Sequence, residues 1–273
     1  MARIHSKILV LLSFFTLALV SCDKIYEDKT DCPTVVYTDF SKMGEHIRNV
    51  QLWLEDSKGN SFSKLVLKSD FGHFEHFSLS KGVVKCYAWG NVHSATICSV
   101  ETKNSPKMML IKRDNILCDS LYLFSTMKVV NKDTTVIIIT PHKQFATIYL
   151  KFVNAQWCEK IKTTLISSAK GFYYDGEIIS GSSFSGSEVF NDISILRLLR
   201  QNTLSDLVIN VEYYDGSSWD EYKIDLSKYL IESRYDMKQE DLKDIFLTVD
   251  FSNFTTQILI GDWDVIPVED VEI

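Results

Sequence analysis

The chain has 273 residues, 29 of them basic and 36 acidic, for a net charge of −7 at neutral pH. That length suits two domains of ordinary size. The acidic balance argues against nucleic acid, which needs a basic face, and against electrostatic docking on anionic lipid.

The first residues carry an address. Arg3 and Lys7 precede an apolar run from Ile8 to Val20, broken only by Ser13 and Thr16. A basic start followed by about a dozen apolar residues is a secretory signal, whereas a spanning helix takes about 20. The run ends in Leu19-Val20-Ser21-Cys22, the form of a bacterial lipobox. Residues 1–21 therefore read as a lipoprotein signal peptide, cut between Ser21 and Cys22. Cys22 takes a diacylglyceryl thioether, and its new amino group a further acyl chain. Two or three such chains anchor stably where one binds only marginally. Cleavage removes Arg3 and Lys7 and no acid, so 27 basic residues remain against 36 acidic ones. No second long apolar run follows, so the lipid has to hold the protein down. The expected location is the outer membrane of a Gram-negative cell, with Glu27-Asp28 consistent with export to the surface. The covalent lipid on Cys22 is the one non-protein group expected, with no small-molecule cofactor.

Residues 22–33 form the lipidated tether and contain Cys32. Cys86, Cys98, Cys118 and Cys158 follow at wide spacing, with no C-x-x-C pair and no zinc pattern. Buried free thiols fit this better than a disulfide framework, although the pairing is open.

Alternation with period two then dominates. Val50, Leu52 and Leu54 share one face of a strand at 50–55, the turn Ser57-Lys58-Gly59-Asn60 follows, and a returning strand runs over 62–67. Further strands are expected at 74–79, 83–89, 121–124 and 134–140. Pro141 ends the last, since proline cannot donate to a ladder. A division near 141–144 separates a first domain at 34–143 from a second at 144–273. The second opens with a strand at Phe145, continues at 207–214 and, through the Asp215-Gly216 turn, at 219–226. Strands at 245–251 and 255–260 close it. Ser180 to Gly186, rich in serine and glycine, reads as a loop. Residues 188–200 are ambiguous, with Val189, Ile193, Leu196 and Arg200 on one helical stripe favouring a short helix. Short strands with turns about every ten residues predict an all-β chain of two tandem β-sandwiches with at most one or two short helices.

Candidate sites are sparse. His73 and His76 are three apart, so on a strand they point to opposite faces and chelate poorly. Trp53, Trp89 and Trp157 suggest a carbohydrate platform, but core or interface packing explains them better. There is no G-x-S-x-G, Walker or H-E-x-x-H motif, and the chain reads as non-enzymatic. Asp119-Ser120-Leu121 and Asp133-Thr134-Thr135 match an O-glycosylation acceptor pattern, which makes Ser120 and Thr134 candidate sites.

Two stretches carry a family resemblance. Ser21-Cys22-Asp23-Lys24-Ile25-Tyr26-Glu27-Asp28 with Asp31-Cys32-Pro33, and Gly82-Val83-Val84-Lys85-Cys86-Tyr87-Ala88-Trp89-Gly90-Asn91, resemble the fimbrillin-A-associated anchor proteins. Residues 50–55 fit that family's early strand, and 258–263 agree loosely with its last. Cys86 departs from the usual apolar run. The resemblance covers the chain in arrangement, but its specific motifs lie in the first hundred residues. It implies two transthyretin-like sandwiches held on the outer membrane by lipid. It also implies a role in anchoring fimbriae, initiating their assembly or limiting their length. The implied partner is a fimbrillin or other fimbrial subunit, joined by strand addition. A surface glycan-binding lipoprotein is the alternative.

Overall fold

A computed structural model of the chain describes residues 32–101, 107–189 and 192–261. The chain is all-β with little helix, and its strands build paired sheets around separate cores.

The first half supplies β1 (Thr34–Asp39), β2 (Asn49–Glu55), β3 (Ser61–Leu67), β4 (Glu75–Leu79) and β5 (Gly82–Gly90). It continues with β6 (Thr96–Glu101), β7 (Lys107–Lys112), β8 (Tyr122–Val130), β9 (Thr134–Ile138) and β10 (His142–Lys143). Eight of these form the first sandwich. A three-stranded sheet, β4-β1-β9, faces a five-stranded one, β10-β8-β5-β2-β3. Alternation decides which side chains enter. Val50, Leu52 and Leu54 of β2 meet Val84, Cys86 and Ala88 of β5 on the inner face, and Val36 and Ile137 close over them from the smaller sheet. Each fully buried aliphatic side chain there contributes about 1.5–3 kcal/mol.

The second half supplies β11 (Phe145–Val153), β12 (Lys160–Tyr173), β13 (Ile178–Glu188), β14 (Ile193–Leu199), β15 (Val208–Tyr214) and β16 (Trp219–Asp225). Helix α1 (Leu226–Glu232), β17 (Asp244–Asp250) and β18 (Thr255–Gly261) complete it. The sheet β14-β11-β17-β18 packs on the sheet containing β16-β15-β12, with β13 on the far side of β12. Ile148, Leu150, Leu196, Leu198, Ile209, Val211, Ile245 and Leu247 fill the space between.

One hairpin departs from chain order. β6 and β7 precede the division near residue 143, yet β7 pairs with β12, Leu110 opposite Phe172 and Ile111 opposite Gly171. A third core results. Trp53, Tyr87 and Trp89, on the outer face of β2 and β5, pack against Leu110, Phe145, Ala169, Phe172 and Leu199. The Trp89 indole Nε1 donates to the Tyr174 carbonyl at 2.8 Å, and Tyr174 stands edge-on to Tyr87 at 4.7 Å. The β12–β13 turn reaches this place with Gly176 at φ +94°, where a Cβ would meet Leu123 Cδ2 at 2.5 Å. A side chain there meets both backbone strain and a collision.

Two expectations are corrected. The stretch 188–200 is not helical where it is described. β14 pairs residue by residue with β11, and its inward set is Ser194, Leu196 and Leu198. The helical stripe and the strand alternation share Leu196, and seven ladder partners decide for the strand. Residues 180–186 are not a loop but the middle of β13. Ser183 and Ser185 are buried there, and the hydroxyls of Thr163 on β12 and Ser194 on β14 lie 2.5 Å apart. Small polar residues fill a close contact that apolar side chains would overfill, so hydrophobic alternation is missing from a genuine strand. α1 carried no sequence signal strong enough to name it. Its N-cap Asp225 accepts from Lys228 N at 3.1 Å, and Leu226 and Leu230 are buried one turn apart.

Candidate functional site

The first sandwich is unequal in width, and that inequality creates its most distinctive surface. The smaller sheet ends at β9, which β1 pairs on one side only. Beneath it, β10 reaches only Tyr122 and Leu123 of β8. From Phe124 to Val130, the outer edge of β8 has no strand beside it among the described residues. Two unpaired edges therefore stand over one another, joined by the short turn between β8 and β9.

Burial fades towards this side. Val84, Cys86 and Ala88 on β5 are fully buried, while their partners on β8, Lys128, Thr126 and Phe124, are only half-buried or exposed. A further strand alongside β9 would cover those three. In its place, Lys128 Nζ donates to the Val136 carbonyl at 2.9 Å, tying the two edges together. A lysine on an edge strand deters uncontrolled pairing. The opposite side of the sandwich is closed differently. Lys64 Nζ pairs with Glu75 at 2.5 Å, and Phe62 meets Phe77 edge-on at 6.3 Å, so β3 and β4 are bridged by side chains. The β8–β9 side is the open one.

The residues singled out from the sequence are dispersed. Ser21 and Cys22 lie outside the described residues; the described chain begins at Cys32, exposed beside Pro33 and directly before β1. Thr134 is exposed at the start of β9, on the side of the open edge. Ser120 is half-buried between the two sandwiches, next to Asp119, whose carboxylate accepts from His93 N at 3.0 Å. Trp53 and Trp89 are buried in the core between the sandwiches, whereas Trp157 is exposed against Tyr213 and Phe251, so the three form no common platform. His76 sits on the outer face of the small sheet beside Tyr37. Cys86 and Cys118 are free and buried, and burial pushes each thiol up to about 12. Such thiols stay protonated and unreactive at neutral pH. The side chain of Cys98 lies outside the description.

Sequence reasoning missed Lys128 and the full length of β8. Its outward residues Met127 and Val129 are apolar yet exposed, so the strand shows no clean alternation. That same irregularity, an apolar outward face on a strand with lysine turned inward, is the signal that marks an uncovered edge.

No protein-family model matches the chain, and no curated protein does. Solved structures do. The fimbrial anchor protein Mfa2 from Porphyromonas gingivalis superposes with a TM-score of 0.58 at 15% identity, over 85% of this chain and 98% of that one. A candidate adhesin from Bacteroides ovatus gives 0.59 at 14% identity, over 89% and 97%. One from Bacteroides thetaiotaomicron gives 0.58 at 14%, over 85% and 97%. Over nearly its whole described length, the chain has the fold of a fimbrial anchor protein and of candidate bacterial adhesins.

Proposed function

We propose that this chain is a fimbrial anchor lipoprotein of the outer membrane, in the manner of the fimbrillin-A-associated anchor proteins it resembles. Cys22 carries the lipid, and the folded chain binds the first fimbrial subunit at the cell surface, initiating assembly or limiting fimbrial length. The binding event is strand addition. The observation that carries this reading is the unfinished small sheet. An extended segment of the subunit lies along β9, takes up its unpaired backbone groups and covers Phe124, Thr126 and Lys128. Main-chain pairing supplies affinity, and alternate side chains entering the gap supply specificity. The role is non-enzymatic; binding and placement suffice for it. Shared fold with an anchor protein and with candidate adhesins supports the reading.

The test is replacement of Cys22 by Ala, read by membrane fractionation and by the fimbriae left on cells. The expected outcome is a soluble protein and fimbriae that are shed or overgrown. A soluble protein with unchanged fimbriae would leave the lipid in place as a reading and remove the anchor.

A further inference from the structure

The end of the first sandwich at which the tether enters has a chemistry unlike the rest of the molecule. Three turns converge there with the start of β1. Asp56 in the β2–β3 turn accepts from Ser80 N of the β4–β5 turn at 3.1 Å, and Ser57 Oγ donates to Lys81 O at 2.6 Å. Lys81 Nζ stands 3.3 Å from Asp133 of the β8–β9 turn, whose carbonyl accepts from Val35 N at 2.9 Å. This pole is therefore one rigid surface. The opposite end of the same strands, at Gly90 and Tyr122, meets the second sandwich through Phe145.

Lysines 58, 81 and 132 lie in these turns, against Asp56 and Asp133, in a chain whose overall charge is −7. Asp56 is buried with its carboxylate turned inward, and Lys81 is largely shielded in its pair with the exposed Asp133, so the exposed charges of the pole are Lys58 and Lys132 against Asp133, a small positive excess. Beside the turns, on the outer face of β5 and β8, Val83 and Val129 are cross-strand partners, with Met127 one row along. Val83 is 45% exposed, Met127 70% and Val129 67%. Adjacent exposed apolar side chains rimmed by lysine mark an interaction surface, and lysine stems cover apolar ground while their heads reach phosphate.

We infer that this pole lies flat on the anionic headgroup layer of the membrane, with Val83, Met127 and Val129 dipping into it. The inference rests on lipidation at Cys22. Eleven residues separate Cys22 from Thr34, a reach of at most about 40 Å when fully extended, and the chain they lead into begins at this pole. The acidic remainder of the molecule is repelled by the same layer that attracts the lysines. Charge thus turns the second sandwich outward and leaves the open β8–β9 side facing along the surface, where a subunit can reach it.

Met127 is its own probe. The full lipidated chain is placed on vesicles containing phosphatidylglycerol, treated with dilute peroxide, and sulfoxide formation is followed by peptide mass spectrometry. Met109, half-buried in β7 beside β12, serves as the internal reference. On vesicles, the ratio of Met127 to Met109 oxidation is expected to fall at least fivefold relative to the same protein in a nonionic detergent. An unchanged ratio on protein that floats with the vesicles overturns the orientation and leaves the anchor intact. A chain that fails to float with the vesicles overturns the lipid reading, and this inference with it. Protection that appears in detergent and rises with protein concentration assigns the patch to a second copy of the chain and overturns the membrane contact.

Discussion

Asp56 shows how much one side chain can hold. Its carboxylate accepts from the backbone N–H groups of Lys58 and Asn60 at 2.9 Å each, from Asn60 Nδ2 at 2.9 Å and from Ser80 N at 3.1 Å. These bonds to the charged form outweigh the burial that opposes it and hold the carboxyl well below the usual carboxylate range. The sign follows. A depressed folded pKa adds stability that is complete above the unfolded value near 4 and is lost as pH falls through the folded value. Asp56→Ala removes four acceptor contacts at a buried place and is expected to lower stability by about 2–3 kcal/mol, measured by urea unfolding at pH 7. Asp56→Asn keeps the shape but not the charge. Below pH 4 its deficit against the parent chain is expected to shrink, and a constant deficit across pH 2–7 would show that the carboxylate charge is not what the turns depend on.

Among elements, the open edge and the crossing hairpin make separate predictions. Lys128 bonds the Val136 carbonyl from an exposed position, so Lys128→Ala is expected to change stability by less than about 0.5 kcal/mol. If β9 accepts a strand, that variant alters subunit capture several-fold in a pull-down. Unchanged capture would remove Lys128 from the binding edge. Gly171 faces β7 so closely that a Cβ would lie 2.0 Å from the Leu110 carbonyl oxygen. Gly171→Ala is expected to part β7 from β12, seen as faster hydrogen exchange at Met109 to Ile111 with the β11–β17 ladder still protected. These two elements also mark where the sequence was readable. β15 and β17 announce themselves because one face is buried and the other is wetter, which writes alternation directly into residue type. β13 does not, because two of its buried positions are the small polar Ser183 and Ser185, which carry no hydrophobic signal. β8 is half legible, because its second half faces no covering sheet. β14 imitates a helix, because seven residues of alternation and two turns of helix select overlapping apolar positions.

For the whole molecule, the all-β sandwich plan was visible in strand density and length. The open edge was marked only by the irregular pattern of β8, and the three-against-five sheet count among the described residues is what reveals it. The pairing of β7 with β12 was not visible, since a contact between residues some sixty positions apart has no local signature. That crossing has a mechanical meaning. In the anchor role proposed above, the chain would be tethered at one end and hold a fibre elsewhere, and it would be under tension whenever fluid drags on the fibre. A simple two-bead chain would carry the load through the single connection at residues 143–144. Here the β6–β7 hairpin lies along the second sandwich's sheet while the indole of Trp89 is seated against Tyr174 and Phe172. Pulling the sandwiches apart must slide paired strands and empty an aromatic core together. Stretched in a force spectrometer between Cys32 and β18, the chain is expected to yield in one high-force event rather than two, and Gly171→Ala to divide that event.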